Sequence, residues 1–451
     1  MRTRLLGFLE SVRSSYWLPP TGMAAAGLAL ALGMLALDRA QDGIQDWLPW
    51  IYDGGADGAR EVLGSVAASM LTVLSVTFSV TIVALTVASQ QFGPRVLHNF
   101  IRKPGPQVVL GSFIGTFLYS LVVLRSVSGE DPRFVPYMSV TVSVVLAATS
   151  IAALIYFIQH VSASLQAANI LAEVAAEIDA GIARLFPDRL ARGEPDPNGG
   201  AAGPGLERTL HEDGNGRTIP ASASGYIQAI DEKRLMHLAV GGDIALRLVR
   251  RPGDFVVNGD TLVVGVPPER VTGDDCRKLQ EAFLIGPRRT PFQDVAFGLS
   301  QLLEIALRAL SPSTNEPFLA VNCIDRLLQA LAHLAERAIP SSDRYDDEGT
   351  LRIIAEPFTF LAAADEVFDA LLVPASGNAI TATRLLRGMG ALAGRLRRDR
   401  DHAAIVRYAH LLHRQAREAA QTDELKGRID DAHVVALQAL QSAAFGHAGP
   451  R

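Results

Sequence analysis

Seven polar residues recur through one uncharged stretch of the chain. Ser65, Ser69, Thr72, Ser75, Ser79, Thr86 and Gln90 follow one another at steps of three, four and seven. On a helix those steps gather the side chains on one side. Neutral hydroxyls can replace part of an ion's hydration shell, so such a side could line a water-filled path. The same residues also suit close packing, because small polar side chains let membrane helices approach and hydrogen-bond. Residues 62–94 contain no Asp, Glu, Lys or Arg. Ion-coupled pumps usually carry ionisable groups at mid-depth, so their absence weighs against coupled transport.

Other residues invite a chemical reading. In "QQFGPRVLHNFIRKPG", Arg95, Arg102 and Lys103 form a basic loop. This is the charge signature of a cytoplasmic loop, and at the mouth of a pore it would favour anions. Gly111 and Gly115 in "GSFIG" are four apart, a spacing that favours close helix contact. In "RALSPSTNEPF", Ser311-Pro312 is expected to end one helix and Asn315 to cap the next, a tight corner. Arg308, Glu316, Asn322, Asp325 and Arg326 around it could instead line a ligand pocket. His410 and His413 share one face of a helix and could share a metal. No third ligand is evident, so no metal site is assigned and a solvated face is expected. The chain lacks a Walker A loop, a spaced cysteine cluster, His-Glu-x-x-His and Gly-x-Ser-x-Gly. No catalytic residue and no cofactor are therefore assigned, and an enzyme is not expected.

The elements that must position these residues follow from length and charge. "SVTFSVTI" alternates like a half-buried strand, but it lies inside the uncharged run of residues 62–94. A membrane helix needs about 20 residues and satisfies its own backbone. The run therefore reads as a helix, in which Ser and Thr hydroxyls can bond a carbonyl one turn back. Residues 14–37, 104–124 and 134–172 are likewise free of Asp, Glu, Lys and Arg. Four spans are expected, at about 17–37, 62–89, 106–126 and 134–158. The first follows Arg2, Arg4 and Arg13, but lacks a convincing small-residue cleavage site and reads as retained. Arginine and lysine crowd the N-terminal tail and the second loop, while acidic residues crowd the loop at 38–61, so both termini are expected in the cytoplasm.

Beyond residue 158 the chain is mildly acidic and mixed, which is not the footprint of nucleic-acid binding. Cys276 and Cys323 are the only cysteines, and no disulfide framework is expected. Val161, Leu165, Ala168, Leu171, Val174, Ile178, Ile182 and Leu185 trace one apolar face of an extended amphipathic helix over 159–190. Pro, Gly and Ser mark 191–224 as a flexible loop. A small β-containing module is expected over 225–270. In it "GYIQAI" and "IALRLV" flank the short helix "EKRLMHLAV", and Pro252-Gly253-Asp254 and Asn258-Gly259-Asp260 form turns. An α-helical cytoplasmic domain is expected over 271–447. Thr272-Gly-Asp-Asp275 and Thr290-Pro291-Phe292-Gln293 suit helix starts there, and one helix is expected over about 349–372.

The stretches "TFSVTIVALTVASQQFGPRVL", "LGSFIGTFLYSLVVLR", "GYIQAID", "RPGDFVVNGDTLV" and "ALRALSPSTNEPFLAVNCIDRL" together resemble the bacterial predicted membrane protein family DUF2254, a domain of unknown function. The resemblance covers most of the chain. It implies a bacterial cytoplasmic-membrane protein with four N-terminal spans, and carries no established activity and no catalytic residue. "PGDFVVNGDTLV" also looks like half of a biotinyl- or lipoyl-type sandwich, without the attachment lysine of those carriers. The fold class expected is a membrane α-helical domain plus a cytoplasmic α+β region. The function expected is a homo-oligomeric channel or pore in the lipid bilayer, lined by the second span and gated by the cytoplasmic domain. The alternative is a membrane-anchored scaffold or sensor without transport.

Overall fold

The computed structural model describes residues 18–40, 52, 54–92, 104–129, 134–164, 166–186 and 216–447. The chain is mostly helical and divides into two compact units, Met1–Ile170 and Leu171–Arg451.

The first unit is built from four apolar helices. They are α1 (Leu18–Ala40), α2 (Ala56–Phe92), α3 (Pro104–Ser126) and α4 (Tyr137–Ser164). Each is long and apolar enough to cross a membrane. "SVTFSVTI" lies within α2, so length and burial override the two-residue alternation. Glycine sets the closest approach between helices. A Cβ at Gly27 of α1 would stand 2.5 Å from the carbonyl oxygen of Gly115, and one at Gly111 would stand 2.7 Å from Met23 Sδ. Gly111 and Gly115 thus seat α1 on α3 within one chain. Two apolar clusters fill the unit. One joins Ala31, Ala59, Leu63, Tyr119, Val123 and Val140. The other joins Met70, Ala84, Val109, Phe113, Phe157 and Val161. Asp38, at the end of α1, accepts the backbone N–H of Met138 and of Ser139, each at 3.0 Å, so it satisfies the first turn of α4 from another helix.

The extended helix expected over 159–190 is interrupted. α4 ends at Ser164 and α5 (Ala167–Leu185) begins after it. Leu171, Val174, Ile178 and Ile182 of α5 are buried as its periodicity required, and Gly298 leaves room for Ile178.

The second unit carries two sheets. One orders its strands β1 (Arg217–Pro220), β5 (Thr261–Val266), β3 (Ala245–Leu248), β8 (Leu351–Ile354) and β7 (Asp343–Tyr345). The other orders β4 (Phe255–Val256), β2 (Gly225–Ile230) and β6 (Phe283–Gly286). The short helix α6 (Glu232–Gly241) follows β2, with Asp231 capping it. Gly253 and Gly259 both take φ 96°, the left-handed turn geometry the sequence called for. Three expectations fail here. β1 lies inside the stretch read as a loop. β8 lies inside a stretch read as helix and β6 begins at the end of one, because a run of four residues is too short to show a period of its own. β8 is recruited by pairing in parallel with β3, a tertiary contact that local pattern does not encode.

Around the sheets lie α7 (Gly273–Gln280), α8 (Val295–Ala309), α9 (Pro317–Glu336), α10 (Phe360–Ser376), α11 (Ala379–Leu392), α12 (Asp399–Ala419) and α13 (Asp423–His447). Thr272 and Asp275 form the expected capping box of α7. α8 starts later than expected: Asp294, not Thr290, caps it, accepting from Phe297 N–H at 3.0 Å. Asn315 does not cap α9. It takes φ 48°, and Glu316 occupies the cap position without a side-chain bond. α9 is also long and apolar enough to cross a membrane. In the second unit, however, Cys323, Ile324, Leu327, Leu331 and Leu334 are buried in its core. Both cysteines are free.

Candidate functional site

The face of α2 that packs inward is made of small and apolar residues. Ala59, Leu63, Ala67, Met70, Thr77, Thr81, Ala84 and Ala88 are all buried. The polar residues singled out by spacing, Ser65, Ser69, Thr72, Ser75, Ser79, Thr86 and Gln90, are all exposed in the single chain. A helical turn of 3.6 residues places this stripe roughly opposite the buried face. Its hydroxyls turn back on their own helix. Thr72 donates to Ala68 O, Ser75 to Leu71 O and Ser79 to Ser75 O, each at 3.0 Å, and Thr86 donates to Ile82 O at 2.9 Å. These bonds satisfy the proton of each hydroxyl and leave its oxygen lone pairs outward. The apolar side chains Val76, Val83 and Val87 are exposed on the same helix.

A second set of hydroxyls, which spacing on α2 did not reveal, is buried between α3 and α4. Thr116 Oγ1 and Ser150 Oγ lie 3.0 Å apart, and Ser120 Oγ and Ser143 Oγ 2.8 Å apart. Tyr119 donates to Ser139 O at 3.0 Å, and Ser139 Oγ donates to Asp38 at 2.5 Å. Ser139 and Ser143 therefore belong to this inner seam. Thr149 of the same helix is exposed and bonds Val145 O at 2.8 Å. The signal was present as a pair four apart on α3 facing a pair seven apart on α4, which only the helix pairing makes meaningful.

Arg95, Arg102 and Lys103 lie outside the described residues. Of the residues proposed for a ligand pocket, three have side-chain partners outside the set. Arg308 is 3.8 Å from Glu304 of its own helix. Asp325 pairs with Arg384 of α11 at 2.5 Å. Arg326 bonds Gln329, which in turn donates to Asp179 of α5. Glu316 and Asn322 are exposed. Arg308, Asp325 and Arg326 are each engaged separately, as helix-surface charges usually are.

His410 and His413 are brought to a third histidine, His433 of α13. His433 Nε2 is 3.2 Å from His410 Nδ1, and the His413 and His433 rings stack with centroids 4.0 Å apart. His413 Nε2 is 2.6 Å from Asp430, which also takes Arg417 at 3.1 Å. Among the described residues no group of His, Cys, Asp or Glu has the geometry to hold a metal ion.

Among the described residues, five helices long and apolar enough to cross a membrane, together with a small sheet region, fit the class of multi-pass membrane proteins. The chain belongs to the family described as "Predicted membrane protein (DUF2254)", whose model matches residues 13–391. It is similar to uncharacterized proteins of Mycobacterium tuberculosis and Mycobacterium bovis, 33% identical over 362 residues. The match spans 78% of this chain and 66% of those relatives. No solved structure matches.

Proposed function

We propose that this chain assembles with copies of itself into a membrane pore, with α2 as the lining helix. The supporting observation is the outward hydroxyl face. A helix with one side buried among alanines, Leu63 and Met70, and the opposite side carrying hydroxyls interleaved with Val76, Val83 and Val87, has polar groups to offer water or another copy. In this reading α1 to α4 are the four spans, both termini are cytoplasmic, and Arg95, Arg102 and Lys103 form a basic inner mouth that favours anions. The bilayer and further copies of the chain are the partners; no cofactor or catalytic step is part of the proposal.

The test is flux through the purified protein in liposomes, comparing anions with cations. The reading expects protein-dependent flux that Ser69→Trp abolishes while the protein still assembles. Flux indifferent to that substitution would overturn it. A second reading is a membrane-anchored scaffold or sensor. Its support is that Thr72, Ser75, Ser79 and Thr86 already donate to their own backbone, which makes their side of α2 tolerable to lipid. That reading expects no flux and an unaltered assembly in the Ser69→Trp variant.

A further inference from the structure

Four histidines stand between α12 and α13, and neither reading of the membrane unit uses them: His402 Nε2 is 2.6 Å from Leu440 O, and the other three form one cluster. They stand far from ordinary surface histidines in geometry. His433 is held from two directions, by the hydrogen-bonded His410 at 3.2 Å and by the parallel ring of His413 at 4.0 Å. Among the described residues a single carboxylate, Asp430, lies against the cluster, and it is already shared between His413 and Arg417. Among the described residues the charges acting on His433 are those of His413, His410 and Asp430. Two of these three are histidines, so each proton taken up by a neighbour opposes one on His433. The hydrogen bond to His410 also requires that one of the two facing nitrogens be an unprotonated acceptor. If both rings are charged, both nitrogens carry protons and the bond is lost.

We propose that His410, His413 and His433 form an acid-sensitive joint between the last two helices, closed while His433 is neutral and loosened when the cluster takes up further protons. Burial first, and then the neighbouring histidines, push His433 down from its ordinary 6.5 to about 4, with Asp430 pulling the other way. The sign follows from that depression. Below about 6.5 the unfolded or opened helix binds a proton at His433 that the closed one refuses, so the closed state loses stability as pH falls from 6.5 toward 4. Above 6.5 the contribution is fully present. The inference is independent of the pore reading, because it concerns only the packing of α13 on α12.

The test is hydrogen exchange of the full chain in lipid nanodiscs at about pH 7.5 and about pH 5, corrected for intrinsic exchange, since this range spans the ordinary histidine titration. Protection of the amides of α13 is expected to fall roughly tenfold or more at the lower pH, the equivalent of one unit of pKa displacement. Protection of α9 and α10 is expected to hold. His433→Gln, which keeps a polar side chain but cannot titrate, is expected to flatten the pH dependence of α13, and His410→Asn to reduce it. Equal protection at both pH values in the unaltered protein would overturn the proposal whatever the variants do. So would a loss that His433→Gln leaves intact.

Discussion

Along α3 and α4 the hydroxyls of Thr116, Ser120, Ser143 and Ser150 face one another and are buried. Along α2 the hydroxyls of Thr72, Ser75, Ser79 and Thr86 are exposed, each bonded to a carbonyl of its own helix. The residue types are the same and the environments are opposite. The inner seam ties two helices together. Among the described residues nothing covers the outer stripe, and that is why it is the better candidate for a role outside its own chain. Two hydroxyls of α2 fit neither set: Thr81 is buried yet bonds Thr77 O of its own helix. Thr77 is 1% exposed on the inner face of α2, and among the described residues its Oγ1 has no hydrogen-bond partner.

Substitutions sharpen this contrast, and the largest effect belongs to neither set of hydroxyls. Gly27→Leu places a side chain where Gly115 backbone stands, and is expected to cost about 3 kcal/mol or more, seen as loss of monodisperse protein on size exclusion. Asp38→Ala removes the acceptor of two α4 backbone N–H groups, and is expected to cost about 1–2 kcal/mol by thermal unfolding in detergent. Ser120→Ala removes one buried interhelical bond, and is expected to cost about 0.6 kcal/mol on the same scale. Ser75→Ala and Ser79→Ala remove outward hydroxyls, and are expected to leave stability within about 0.5 kcal/mol. A cost for Ser75→Ala as large as that for Ser120→Ala would show that the outer stripe also packs, and would erase the distinction.

Much of the first unit was legible because a membrane span announces itself by an uncharged run, a signal that depends on no partner. The outward stripe was legible too, since Ser65 to Gln90 repeat on one helix. Which side of α2 that stripe occupies was not, because the answer depends on where Ala59, Ala67 and Ala84 pack. The inner seam and the third histidine were missed for one reason. Ser120 meets Ser143, and His410 meets His433, across helix pairs that chain spacing cannot align. β8 was missed likewise, since residues 351–354 become a strand by joining β3 more than a hundred residues earlier. The partner of Asp325 was missed for the same reason, since Arg384 reaches it from another helix.

The most direct measurement on the outward face is cysteine accessibility in membranes. In a background of Cys276→Ser and Cys323→Ala, single cysteines would replace Ser65, Ser69, Thr72, Ser75, Ser79 and Thr86 in turn, with Phe78 and Ile82 as comparisons. A charged, membrane-impermeant thiol reagent is then applied from the aqueous side. A water-filled path along α2 predicts labelling at the hydroxyl positions and protection at Phe78 and Ile82. Protection at every one of these positions would place the stripe against lipid or protein, and contradict the pore.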